Sequence, residues 1–542
     1  MADNDHSCDY ERNRRRFMQL GLMGAAGITG LAGCSGDSGN GNGGGNGGGN
    51  GGGNSGGNGN GSDVTGETAK ERALNAAERL ADDAPKDTLN VFVATGAEGF
   101  FEKIRDEWEE RTGISFQMDS VEVANWYGNV LEQATTQSSK YDVLQGAVFG
   151  NPDYFEANYI TDIESYVSKY DPEIRGEERG TIEPVHLWGN NYLIDDEVRL
   201  VSLGADGDQM APYIRTDWLE DEEMQSEYEA QYGEPLERPE YVDELDRQIK
   251  FFTENTEDGK YGGWIYLSPF YAKTTFSRRL LQYGDLWFDE EFKPAFNGEN
   301  GVQVLEDLLE LKPYLHPEAG SAGFGVPYQE FPAGNLYCTF QWPSLPPVLQ
   351  SDASAISTDQ WEMLRAPGRD VDGQFLNPVQ HQGCMSFKVN ANSKMEELAY
   401  LFVQYCYSPE ASANGIKSGG FVDPFRFSHF EDQSVGEFYA GDQWEEYLEV
   451  YDYNLQRTFP ELTVKGASRY FQAIDQACTN VLNNGKDPQT ELDKAANTCE
   501  EITNEIGREK QKKQWRFLTT AYGQPLRDAA GLPSPSEYEL PY

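Results

Sequence analysis

Apolar and polar positions change period repeatedly along this chain. Leu89, Val91, Phe92 and Val93 form a short, nearly continuous apolar run, Gly96 interrupts it, and Phe100, Ile104 and Trp108 then recur at helical spacing. A second apolar run over 114–118, a helical pattern over 126–134 and a third run over 142–148 complete a strand–helix–strand–helix–strand unit. Alternation on this scale predicts an α/β fold: a parallel sheet covered on both faces, with ligand loops at the carboxyl ends of the strands. The pattern continues with helices expected over 242–252, 302–311, 395–407 and 468–484 and strands over 264–267 and 336–341.

The first 86 residues read differently. Asn13, Arg14, Arg15, Arg16, Phe17, Met18 and Gln19 precede an apolar stretch over 20–32 that glycines punctuate, too short for a stable bilayer-spanning helix. The paired arginines followed by Phe17 resemble a twin-arginine export signal, with Asn13 and Gln19 departing from its commonest residues. Leu31, Ala32, Gly33 and Cys34 match a lipobox, which predicts a lipid thioether on Cys34 and a chain held at the outer face of the cell membrane. Residues 34–62 are almost entirely Gly, Asn and Ser, a composition that forms a flexible tether, with one glycosylation sequon at Asn60. Residues 63–86 read as a charged helical spacer stopped near Pro85. The expected boundaries are therefore 1–33 signal, 34–62 tether, 63–86 spacer and 87–542 folded unit.

Charge then narrows the function. Asp plus Glu number 91 against 43 Lys plus Arg, a formal net charge of -48 over 542 residues. Nucleic-acid affinity depends on cations that displace counterions, so a basic-face binder is excluded. Aromatic residues make up 13%, which separates the chain from acidic disordered sequences. The imbalance resembles that of proteins from extreme halophiles, where salt screens self-repulsion.

The order of local motifs brings a family into view. Residues 101–112 end at Gly113 before a strand; Tyr141, Asp142, Val143, Tyr159 and Ile163 follow. Next come Arg215, Thr216, Asp217 and Trp218 ahead of Pro239, Glu244 and Leu245, then Phe331, Gly334, Leu336 and Trp342. Gln382, Gly383, Phe387, Glu397, Ala399, Phe402, Ser408, Pro409 and Glu410 close the series. From residue 89 to about 506 the chain resembles the family 1 extracellular solute-binding proteins of ABC importers, a group that includes maltose and multiple-sugar binders. The resemblance implies two α/β lobes joined by a hinge, a ligand cleft between them, a small-molecule solute of the carbohydrate class, and permease subunits as partners. It implies no cofactor and no catalysis.

Sugars present flat CH faces and many hydroxyls, so their sites combine aromatic platforms with carboxylates and amides. Trp342 occupies the strand-end position that, by the resemblance, often lies under a sugar. Trp126, Trp264 in a Gly262-Gly263-Trp264 turn, and Trp287 are further candidates, with core packing as the competing role for each. Thr95 and Glu98 follow the first strand, Asn151 and Asp153 follow the third, and Gln382 adjoins Gly383, where the family's backbone approaches the ligand. Of seven cysteines, Cys478 and Cys499 on successive helices form the preferred disulfide pair, with buried free thiols as the alternative. No CxxC exists and the histidines are scattered, so no metal site is expected. Competing readings are a receptor for a peptide, polyamine or ferric ion, the last drawing on Tyr266, Tyr271, Tyr451 and Tyr453, and a secreted glycoside hydrolase using paired carboxylates.

Overall fold

The computed structural model describes residues 65–172, 189–194, 196–204, 206–380, 385–420, 422–459 and 461–520. The export signal, Cys34, Asn60 and Gln382 lie outside them. In the first lobe, strand Thr88–Ala94 lies between Ser115–Val121 and Val143–Ala147, parallel to both. Its apolar run is continuous because both faces are covered: Leu89, Val91 and Val93 are fully buried. Helix Glu98–Thr112 buries Phe100, Phe101, Ile104 and Trp108 and stops at Gly113, whose φ of 72° suits a left-handed C-cap. Two antiparallel strands, Met385–Val389 and Leu203–Gly204, complete a five-stranded sheet.

The second lobe is built on a four-stranded sheet in the order Trp361–Met363, Ala211–Arg215, Leu336–Gln341, Tyr261–Trp264. Its last strand lies earlier than the apolar run over 264–267 predicts, and Gly262 and Gly263 belong to the strand, not to a turn. Helix Val242–Asn255 explains the glycines. A Cβ on Gly262 would meet the Ile249 carbonyl oxygen at 1.8 Å, so only glycine lets helix and strand approach this closely.

Among the described residues, three segments pass between the lobes. One passage runs from Gly204 to Ala211 and a second from Met363 to Met385. The third, around Asp423, leads from helix Pro409–Gly415 on the first lobe to helix Trp444–Leu455, which packs on Trp361–Met363. Asp206 joins all three: its carboxylate accepts from the Asp423 N–H at 3.0 Å and from the Met385 N–H at 3.5 Å. Beside it, a Cβ on Gly207 would meet the Pro424 carbonyl oxygen at 1.7 Å, while the Tyr451 hydroxyl reaches the carbonyls of both residues.

The spacer expected over 63–86 is helical, but it is docked on the folded unit. Helix Ala69–Ala81 begins at an N-cap, Thr68, and buries Ala69, Arg72, Ala73, Leu74, Ala76 and Ala77 against the first lobe, chiefly helix Glu396–Tyr407. Arg72 donates to the Tyr170 carbonyl and to Asp171 at 3.0 Å, with the Asp171 side chain wholly buried. The helix is therefore packed as part of the first lobe. The spacing rule alone could not show this, because an alanine-rich face signals a helix without saying what lies against it.

Cys478 and Cys499 lie on helices Ala467–Asn484 and Pro488–Ile506, which pack together, yet each is a free buried thiol. Burial pushes the Cys499 thiol up to about 12 and the Cys478 thiol well above its ordinary value, so both act as small apolar core residues. Among the described residues no helix is long and apolar enough to cross a membrane.

A buried histidine makes stability depend on pH. His429 Nδ1 accepts from the Phe425 N–H at 3.2 Å, which leaves Nε2 to carry the proton toward Ser412 Oγ at 2.9 Å. Burial, reinforced by the Arg426 and Lys417 charges, holds its pKa well below the ordinary 6.5. The unfolded chain takes up a proton near that value and the folded chain refuses it. This contribution to stability is complete above pH 6.5 and is lost as pH falls toward the folded-state pKa, at ~1.4 kcal/mol per pH unit. Denaturant unfolding at pH 7.5 and 5.5 is expected to show that loss in the wild type and a flatter dependence in His429→Gln; equal slopes would contradict it.

Candidate functional site

Between the lobes lies a cavity of about 510 Å³. The first lobe supplies helix Val123–Thr135, which follows the carboxyl end of the second strand, and the segment after strand Val143–Ala147. Trp126 is fixed there by donating from Nε1 to the Gln145 carbonyl at 2.7 Å. Tyr127 donates to Asp153 Oδ2 at 2.9 Å and packs against Phe149, ring centroids 5.3 Å apart. All three aromatic side chains line the cavity.

The facing wall comes from strand ends of the second lobe. Trp342 immediately follows strand Leu336–Gln341 and is half-buried, so one part of its indole is available. Tyr266 sits behind it at 5.6 Å and beside Tyr271 at 5.1 Å, oriented by Gln341 Nε2, which donates to the Tyr266 hydroxyl at 2.7 Å. Phe270, Tyr271, Phe324 and Tyr328 extend the aromatic wall. Burial pushes the Tyr127 and Tyr271 phenols well above their ordinary range, so both remain neutral hydroxyls.

The floor is polar. Asp206, Asp208 and Asp423 line it where the chain passes between lobes, each under 5% exposed. Helix Ala467–Asn484 adds Ser468, Phe471, Gln472 and Asp475. Lys273 lies 3.6 Å from the Glu461 carboxylate, and its ammonium stands 4.6 Å from the Phe471 ring centroid. Asp475 accepts from the backbone N–H groups of Phe270 and Lys273; burial raises its pKa, and those two hydrogen bonds and the Lys273 charge oppose the rise. Aromatic faces on both sides with a carboxylate floor suit a hydroxyl-rich solute. Among the described residues there is no group of three or more His, Cys, Asp or Glu that could hold a metal ion.

Residues 94–413 match the family model described as bacterial extracellular solute-binding protein, more than half of the chain. The chain belongs to that family. Members are binding proteins, extracellular or periplasmic, that serve ABC transporters. This solute-binding protein also shares its two-lobed fold with solved structures. One is an ABC transporter solute-binding protein from Agrobacterium radiobacter K84 in complex with ribitol: 19% identity, TM-score 0.63, covering 77% of this chain and 98% of that one. Another is maltose-bound MalE3 of T. maritima: 16% identity, TM-score 0.63, 77% and 99%. A third is the GacH receptor of Streptomyces glaucescens, solved unliganded and with acarbose: 18% identity, TM-score 0.60, 77% and 97%. No curated protein sequence matches the chain.

The candidate residues of this solute-binding protein separate into two groups. Trp126 and Trp342 face the cavity from opposite lobes. Trp264 is fully buried against Tyr266 and His316, and Trp287 is nearly so, packed edge-on to Phe471 from behind the cavity wall. Asn151 is buried and donates to Gly189 and Ser202, while Asp153 supports Tyr127, Lys465 and the Gly466 N–H one layer out. Thr95 continues the sheet by donating to the Val121 carbonyl, and Glu98 caps the Gly96 N–H; neither lines the cavity. The cavity also contains Tyr271, named above only for a ferric-ion site, and Tyr127, Phe149, Phe270, Lys273 and Phe471, which the sequence did not single out. Pro269 followed by the aromatic pair Phe270 and Tyr271, just past a strand, was an available signal. Phe471 had none, because its helix gives no indication of which lobe it meets.

Proposed function

We propose that this protein is a lipid-anchored receptor on the outer face of the cell membrane that captures a sugar or oligosaccharide and delivers it to the permease of an ABC importer. The observation that carries the reading is the placement of Trp126 and Trp342 on opposite lobes of one cavity with carboxylates beneath. Such walls bind most tightly when the lobes close, so ligand shifts the population toward the closed form, the state a permease can distinguish. The ligands bound by proteins of similar fold, ribitol, maltose and acarbose, support the carbohydrate class. The Leu31-Ala32-Gly33-Cys34 sequence supports the anchor, and Arg14 and Arg15 support export by the twin-arginine route. The Gly/Asn tether would keep the receptor at high local concentration near its membrane partner. The net charge of -48 supports a halophilic habitat.

The deciding experiment is a thermal-shift screen of the chain beginning at Ser35, in multimolar KCl, against mono- and oligosaccharides, polyols, peptides, polyamines and ferric ion. Saturable stabilisation by one sugar class, scaling as RT ln(1 + [L]/Kd) with the sugar recovered unchanged, is the expected result. Stabilisation by a non-sugar alone would replace the substrate class, and consumption of the sugar would replace the receptor with a hydrolase.

A further inference from the structure

Phe270 has a φ of 76°, in the left-handed region, although it is a bulky aromatic residue. It is also 37% exposed while lining the cavity, with its ring edge-on to Tyr271 at 4.9 Å. Strained residues persist only where the surroundings over-determine them, and they concentrate at ligand clamps and switches. The surroundings here are specific. Helix Ala272–Gln282 starts at Tyr271, which makes no side-chain cap. The missing cap is supplied from 205 residues away: Asp475 Oδ2 accepts from the Phe270 N–H at 2.7 Å and Oδ1 from the Lys273 N–H at 3.1 Å.

We infer that Asp475 is a positioning residue of the cleft, holding the Phe270 backbone in its left-handed conformation so that the ring overhangs the ligand space. The placement of Asp475 gives this role its reach. It lies one helical turn from Phe471 on the same face of helix Ala467–Asn484. Phe471 touches Phe149 of the first lobe at 5.2 Å and the Lys273 ammonium at 4.6 Å. One helix thus sets both the aromatic contact to the first lobe and the backbone of the aromatic pair on the second. Replacing the carboxylate removes both acceptors together, and Phe270 then relaxes toward negative φ, swinging its ring off the cavity. This inference rests on the carbohydrate-receptor reading for its effect on affinity, but the backbone geometry it describes exists without ligand.

The test therefore has two readouts on the full chain. Hydrogen–deuterium exchange without ligand, on wild type, Asp475→Ala and Asp475→Asn, reads the Phe270 and Lys273 amides. Asp475→Ala is expected to lose about tenfold in protection across residues 268–275, with Asp475→Asn intermediate and the remainder unchanged. Unchanged exchange in Asp475→Ala overturns the inference. Calorimetric titration with maltose, maltotriose and mannitol as probes, on Asp475→Ala, Phe270→Gly and the double variant, reads the consequence. Glycine adopts this φ without strain and carries no ring, so removing Asp475 is expected to weaken binding in the wild-type background and to change little in Phe270→Gly. Equal weakening in both backgrounds would make Asp475 a direct ligand contact and overturn the positioning role. A wild type that binds none of the probes counts against the proposed ligand class, while exchange still decides the role of Asp475.

Discussion

Arg72→Ala is expected to destabilise the folded chain by ~1.5–3 kcal/mol, the usual cost of removing a buried charge-assisted hydrogen bond, here to Asp171. The Asp171 side chain is fully buried and that of Arg72 is 10% exposed, so water cannot replace the guanidinium without opening the helix from the lobe. Arg72 also donates to the Tyr170 and Glu67 carbonyls, and those acceptors lose a partner at the same time. Denaturant titration should move the midpoint with the m-value retained, since the variant unfolds the same surface. A chain cut at Asp87 should be at least as unstable as Arg72→Ala, because it also exposes the surface that Leu74 and the alanines cover. Wild-type stability in the cut chain would show that the helix is a spacer after all.

Truncating both tryptophans of the cleft is the second large effect. Trp126→Ala and Trp342→Ala are each expected to weaken binding of the sugar identified by the screen by ~1–3 kcal/mol, roughly fivefold to 150-fold. The two should differ in kind. Trp126 is 3% exposed and hydrogen-bonded to the Gln145 carbonyl, so its removal also opens a void in the first lobe and lowers unfolding stability. Trp342 is only half-buried, so its loss should fall on affinity with a small effect on stability. Calorimetry and thermal unfolding of the single and double variants separate these contributions. Near-additive losses are expected, since the residues stand on different lobes. Unchanged affinity in Trp342→Ala would remove that residue from the site and leave the family membership untouched.

Several features needed no coordinates. The period changes over 89–148 contain the parallel sheet because an apolar run covered on both faces and a helix with one apolar stripe leave different local signatures. Trp342 was marked by the family resemblance, as the strand-end aromatic that often lies under a sugar. Local pattern could not separate Trp342 from Trp264. Both follow β residues, but Trp264 ends a strand whose glycines admit helix Val242–Asn255, and its ring turns inward onto His316. Among 91 acidic residues no spacing marks the few that matter. Asp206 and Asp423 stand out only because folding buries them at the passages between lobes, and Asp475 because folding brings it to the Phe270 N–H. The sequence by itself determined the fold class, which rests on periodicity, and the order of its short motifs pointed to the family by resemblance. The tertiary structure alone decided which rings face the cavity, what the helix over 69–81 packs against and which carboxylate accepts from the Phe270 N–H, because each depends on contacts between segments far apart in the chain.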